Sequence, residues 1–147
     1  MKDSKDILLI MGSPGCGKTY FCAALINALT EQKKHFMFLR EKDFFGGLRS
    51  AMSQEGTSPE FELEKLGDMP YLILDDVGTS QNTDYQQESL FDLIDRRWSS
   101  RLPTVITSNF FLSDFKEKYH ERLYSRLRDV RNTIIELRIA DRRQEER

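Results

Sequence analysis

The sequence predicts an α/β domain built in three layers, a mainly parallel five-stranded sheet with helices on both faces and no separate lid. Three observations carry that expectation. Short apolar runs alternate with longer amphipathic stretches along the chain, a glycine-rich loop stands directly between the first run and the first helical stretch, and no repeat or Pro- or Ser-rich linker divides the 147 residues. One domain over residues 1–147 follows, because a chain of this length buries roughly two thirds of its unfolded surface around one core.

The elements follow in order. Ile7 to Met11 is a continuous apolar run and reads as the first strand. Thr19 to Gln32 carries Phe21, Ala24, Leu25, Ala28 and Leu29 at helical spacing. His35 to Leu39 and Tyr71 to Leu74 are the second and third strands, and Tyr85 to Trp98 is a helix with Leu90, Phe91, Leu93, Ile94 and Trp98 on its apolar side. Thr104 to Thr107 and Thr133 to Leu137 complete the sheet. In parallel sheets of this kind, sites form beyond the carboxyl ends of the strands.

Composition narrows the function classes. At 39% hydrophobic and 31% charged residues the chain is neither disordered nor fibrous. Ile7 to Met11 is too short to span a bilayer and runs into the glycine loop instead of a cleavage site, so no membrane partner and a cytoplasmic location are expected. Cys16 and Cys22 lack Cys or His neighbours at metal-ligand spacing. Residues 1–95 hold 9 Lys or Arg against 16 Asp or Glu, whereas residues 96–147 hold 13 against 8, nearly all of them arginine. Arginine matches carboxylate and phosphate geometry, so this part of the chain suits a polyanion, a nucleotide or an acidic neighbour, or else a solvated helix face.

Gly12-Ser13-Pro14-Gly15-Cys16-Gly17-Lys18-Thr19 satisfies the P-loop pattern G-x-x-x-x-G-K-[ST] in full, between a strand and a helix. Glycines let the backbone curl so that N–H groups face phosphates, and the helix adds its positive N-terminal end. Lys18 is expected on the β- and γ-phosphates of ATP, Thr19 on Mg2+, and Cys16 as a spacer; Tyr20, next in the chain, joins the cofactor-binding set. Tyr71-Leu72-Ile73-Leu74-Asp75-Asp76 supplies the acidic partner that such a site requires. Asp75 is expected to hold the magnesium shell, and Asp76 to orient or deprotonate the attacking water. Thr107-Ser108-Asn109 ends the fourth strand, placing Asn109 near the γ-phosphate or leaving it as an Asx turn.

The P-loop, Asp75-Asp76, the stretch Glu88 to Trp98 and the run Pro103 to Asn109 together resemble AAA+ ATPases of the DnaC, DnaI and IstB type, in order and spacing through nearly the whole chain. The resemblance implies a P-loop NTPase of the AAA+ core fold and makes Asn109 the sensor 1 residue. Arg96-Arg97 before Trp98 fits the arginine-aromatic pattern that ends this helix in the family. Glu121-Arg122-Leu123-Tyr124-Ser125-Arg126-Leu127 looks like its arginine-finger motif. Arg126, with Arg122 second, would act in trans within a homo-oligomer, and surface ion pairing is the alternative. Ala140-Asp141-Arg142-Arg143 is similar to the closing motif, with Arg143 as a sensor 2 candidate. Arg40 to Met69 corresponds to a region that lines a single-stranded DNA path in relatives, and Phe44, Phe45 and Arg49 would stack on and pair with it unless the rings pack in the core. His35 and His120 are expected to be structural.

The resemblance implies an ATPase acting on a replicative helicase or another DNA-processing protein. The transposition ATPases of the IstB branch are the near alternative; a small kinase or a non-hydrolysing ATP-dependent interaction module are the others. Only six residues precede the first strand, so the helicase-gripping N-terminal domain of loaders is not expected, and contact would be made by the ATPase fold itself.

Overall fold

Apolar side chains alternate along each strand, and that alternation decides how the sheet is clothed. The computed structural model describes residues 7–138. Its strands are β1 (Ile7–Gly12), β2 (Phe36–Arg40), β3 (Tyr71–Asp75), β4 (Thr104–Ser108) and β5 (Thr133–Leu137). They form one sheet in the order β2-β3-β4-β1-β5 with every pairing parallel. These are the five strands expected from the sequence, with β2 starting one residue later and β1 to β4 each ending one residue later.

Leu72 and Leu74 of β3 point to one face with Ile7, Leu9 and Met11 of β1, while Ile73 points to the other with Phe36, Phe38 and Val105. The helices divide unequally between these faces. Among the described residues, α1 (Lys18–Glu31) alone covers the Ile73 side, through Cys22, Leu25, Ile26 and Leu29. The opposite side carries α2 (Glu41–Ala51), α3 (Pro59–Gly67), α4 (Asp84–Ser99), α5 (Leu112–Lys118) and α6 (Glu121–Leu127). The cause is topological. The β1-to-β2 crossover runs one way along the sheet and every later crossover runs back, so right-handed connections put α1 on its own side. The reversal also opens the crevice at the carboxyl end of β1.

The stretch Arg40 to Met69 is mostly the helix pair α2 and α3. Phe44 and Phe45 are 2% and 6% exposed, with ring centroids 5.1 Å apart. Of the two fates weighed from the sequence, packing in the core is the one observed, and neither ring is available to stack on a base; Arg49 alone of the three is exposed. Gly46 and Gly47 hid the helix in the sequence, each costing about 1 kcal/mol against alanine, but Phe44, Leu48 and Ala51 recur at helical spacing and bury one face.

α4 begins at a capping box, Thr83 Oγ1 accepting from the Gln86 N–H and the Gln86 side chain accepting from the Thr83 N–H. It buries Leu90, Leu93, Ile94 and Arg97 on one stripe. Arg97 is fully buried. Its guanidinium donates to Thr104 Oγ1 and to the carbonyls of Leu66, Met69 and Pro103 at 2.6–2.8 Å. It thereby ties the end of α3 and the loops entering β3 and β4 to α4. Among the described residues no helix is long and apolar enough to cross a membrane.

Candidate nucleotide-binding site

β1 ends at Gly12, and the chain must turn within five residues into α1. Gly15 and Gly17 make this possible with φ of 81° and 102°, a left-handed backbone that side-chain-bearing residues rarely adopt. Gly17 is the N-cap of α1 and no side chain caps this helix, so its first N–H groups face the loop's interior. The Lys18 ammonium is folded into the same loop, donating to the Gly12 carbonyl at 2.5 Å and the Ser13 carbonyl at 3.0 Å, with Cys16 Sγ at 3.4 Å. Cys16 is therefore a contact of the lysine and more than a spacer. Thr19 and Tyr20 stand exposed at the opening, Tyr20 at 84%.

Alternation then places the acidic residues. Asp75 lies on the face of Ile73, the face that α1 covers, and Thr107 of β4 lies there with Val105. Thr107 Oγ1 donates to Asp75 Oδ1 at 2.5 Å and accepts from the Asp76 N–H at 3.1 Å, one hydroxyl holding both acids. Asp76 adopts φ 58°, so its side chain leaves the strand direction and turns along the cleft. Pro14, Gly15, Gly17, Lys18, Thr19, Tyr20, Asp75, Asp76 and Asn109 line a single cleft of about 340 Å³. The P-loop, both acids and Asn109 are thus brought together as the sequence suggested. Burial, reinforced by the charges of Asp75 and Asp76, pushes the Cys22 thiol beneath this site up to about 11.

The arginines lie elsewhere. Neither Arg122 nor Arg126 lines the P-loop cleft; both line a separate open cleft of about 660 Å³ with Phe91, Asp95 and Ser125. Arg126 contacts Asp95 at 2.5 Å and lies 3.8 Å from the Trp98 ring centroid, whose other neighbour is Arg131 at 3.7 Å. The ion pairing weighed from the sequence therefore exists for Arg126, although its Nε is buried without an acceptor. Arg122 is exposed and sits 4.3 Å from the Phe91 centroid. Arg143 lies outside the described residues. His120 pairs with Asp84 at 3.0 Å at the surface, in keeping with a structural role.

Thr107 was missed as a functional side chain. The signal was present in the sequence: a β-branched hydroxyl two positions before Asn109 on a strand shares its sheet face with the end of the neighbouring strand, where the acids are.

Three comparisons bear on the chain. A family model described as IstB-like ATP binding protein matches residues 1–127. The replicative helicase loader DnaC of Escherichia coli K12 is 28% identical over 120 residues, covering 82% of this chain and 49% of DnaC. The replicative helicase loader DnaI of Bacillus subtilis is 29% identical over 113 residues, covering 76% of this chain and 36% of DnaI. The chain thus spans about half or less of the length of these curated relatives. Among solved structures, the DnaC helicase loader superposes with a TM-score of 0.76 at 28% identity, over 92% of this chain and 80% of that one. The replication initiator DnaA bound to AMPPCP and single-stranded DNA does so with a TM-score of 0.80 at 20% identity, over 92% of this chain and 41% of that one, a likeness of fold alone. The fold is the P-loop NTPase fold of the DnaC and DnaA AAA+ domains.

Proposed function

The chain belongs to the IstB-like ATP binding protein family, and on that premise we propose that it hydrolyses ATP with Mg2+ and uses the cycle to load or remodel a replicative DNA helicase on single-stranded DNA. The observation that carries the reading is the one cleft in which Lys18, Thr19, Asp75, Asp76 and Asn109 converge. The helicase part is supported by the likeness to DnaC and DnaI, and the DNA part by the fold shared with a DnaA that binds single-stranded DNA.

Each residue then has a task. The loop amides and Lys18 bind the triphosphate. Thr19, exposed at the opening, and Asp75, whose Oδ2 lies outside the Thr107 hydrogen bond, suit a magnesium shell; the ion would offset charge on the β- and γ-phosphates. Asp76 orients or deprotonates the attacking water, and Asn109, in the same cleft, reads the γ-phosphate. Arg126 or Arg122, away from the chain's own cleft, is supplied to the γ-phosphate of a neighbouring subunit in a homo-oligomer.

Asp76→Asn is expected to keep ATP affinity and lower kcat roughly a hundredfold; steady-state hydrolysis beside equilibrium nucleotide binding measures both, and normal turnover removes Asp76 from its role. The parent's specific rate should climb with protein concentration. Arg126→Ala should bind ATP without hydrolysing it and recover part of the rate when mixed with Lys18→Ala subunits, which still carry their own arginine. If Arg122→Ala shows this behaviour and Arg126→Ala does not, the finger is Arg122; if neither does, the trans reading fails. For the helicase itself, the measurement is the amount of a hexameric replicative helicase bound to single-stranded DNA with and without the chain and ATP. No increase sinks the loading role.

A further inference from the structure

A charged side chain with no exposure at all needs a reason, and Glu41 is one. It is the first residue of α2, and its Oε2 accepts from the Gly78 N–H at 2.6 Å and the Thr79 N–H at 3.1 Å. Its other oxygen is buried without a hydrogen bond, as is the Tyr119 hydroxyl, whose ionisation is opposed by burial first and by the Glu41 charge second. Burial raises the carboxyl above its ordinary range, and hydrogen bonding from Gly78, Thr79 and Ser80 offsets only part of that. The hydrogen bonds it accepts all come from one loop, Gly78 to Ser80.

That loop is the continuation of Asp75-Asp76. The Thr79 hydroxyl, on the residue whose N–H Glu41 holds, donates to the Asp76 carbonyl at 3.1 Å. Val77 is fastened to β4 by its N–H to the Thr107 carbonyl at 2.9 Å and by its carbonyl, which accepts from Ser108 Oγ at 2.5 Å. Gly78 packs so closely under Phe110, the neighbour of Asn109, that an added Cβ would lie 2.8 Å from the ring. Asp76 itself sits at φ 58°, in the left-handed region that few side-chain-bearing residues enter. β4 holds it from one side and Glu41, through Thr79, from the other.

We propose that Glu41 is a positioning residue for hydrolysis, clamping the Gly78–Thr79 amides so that Asp76 and the Asn109-Phe110 turn are held at the γ-phosphate end of the cleft. The proposal rests on the ATP-hydrolysing reading of the same cleft. It also makes the β2–α2 junction a route by which a displacement of α2 reaches the catalytic acid, since Glu41 belongs to that helix and touches the loop directly.

The experiment uses the whole chain. Glu41→Met keeps the length of the side chain but has no oxygen to accept from the Gly78 and Thr79 N–H groups. It is expected to bind ATP like the parent while kcat falls roughly tenfold to a hundredfold, the cost of a small misplacement of a catalytic group. Thr79→Val, at an exposed position that tolerates the change, should lower kcat in the same way by cutting the link to the Asp76 carbonyl. Hydrogen exchange on the ATP-bound parent should show the Gly78 and Thr79 amides protected, and that protection should be lost in Glu41→Met. Parent-like turnover in both variants overturns the positioning role while leaving the ATPase reading intact, and so do unprotected Gly78 and Thr79 amides in the parent. A parent without turnover sinks the ATPase reading and, with it, the catalytic part of the proposal.

Discussion

Lys18→Ala is expected to abolish nucleotide binding, with an affinity loss of at least about a hundredfold seen by titration with a fluorescent ATP analogue. Hydrogen bonds to a charged group are worth about 1.5–3 kcal/mol each, so losing two at the β- and γ-phosphates already amounts to that factor. A second cost arises in the chain itself. Lys18 is only 6% exposed and holds the Gly12 and Ser13 carbonyls from within the loop. Without it those carbonyls lose their internal donor, and the curl that points the amides inward is no longer braced. The alanine variant should therefore also lose the thermal shift that ATP gives the parent, while its nucleotide-free melting temperature moves far less. Affinity retained within a few-fold would remove the P-loop assignment.

The second large effect is one of stability and lies outside the cleft. Arg97→Ala is expected to lose at least about 4 kcal/mol, a large share of the roughly 5–15 kcal/mol that holds a typical domain, and to appear as poor folding or a steep drop of the urea midpoint. The carbonyls of Leu66, Met69 and Pro103 and the Thr104 hydroxyl all lean on one guanidinium, and unsatisfied buried groups cost about 1–3 kcal/mol each. Burial lowers the Arg97 pKa to about 10, still far above neutrality, so the charge persists and the carbonyl dipoles must solvate it. Arg97→Lys should recover only part of the loss, because an ammonium has three donors on one atom and lacks the planar fork that reaches α3, β3 and β4 together. A lysine variant as stable as the parent would mean that charge alone matters.

The two residues show where the sequence was legible. Lys18 sits in a motif whose spacing is dictated by phosphate chemistry, so its place could be read from eight consecutive residues. The strands were legible for a similar reason: a parallel strand buried on both faces is a run of apolar residues with nothing to interrupt it. Arg97 was visible only as half of an arginine pair before Trp98. Its partners are backbone carbonyls, to which any sequence contributes equally, and nothing in their side chains marks them. Thr107 and Glu41 were hidden in another way, since their importance depends on strand register and on a loop returning from another part of the chain. α2 was obscured by Gly46 and Gly47, which weaken the local helix propensity although the surrounding apolar spacing outweighs them. For Arg122 and Arg126 the family motif located the residues, but their contacts with Phe91, Trp98 and Asp95 follow from how α4 and α6 pack.

β1 carries the P-loop at its end, and its only sheet partners are β4 and β5. Ile7 pairs with Thr104 and Leu8 with Thr133, positions about a hundred residues or more downstream. On a ribosome adding about 5–20 residues per second, the strand that bears the P-loop waits several seconds or longer for its first neighbour to be made. Contacts of such sequence separation also fold slowly, because loop closure precedes any gain from pairing. The strand that leads into the P-loop is thus made before either of its sheet neighbours, so a nascent chain acquires its nucleotide site only once β4 and β5 have followed.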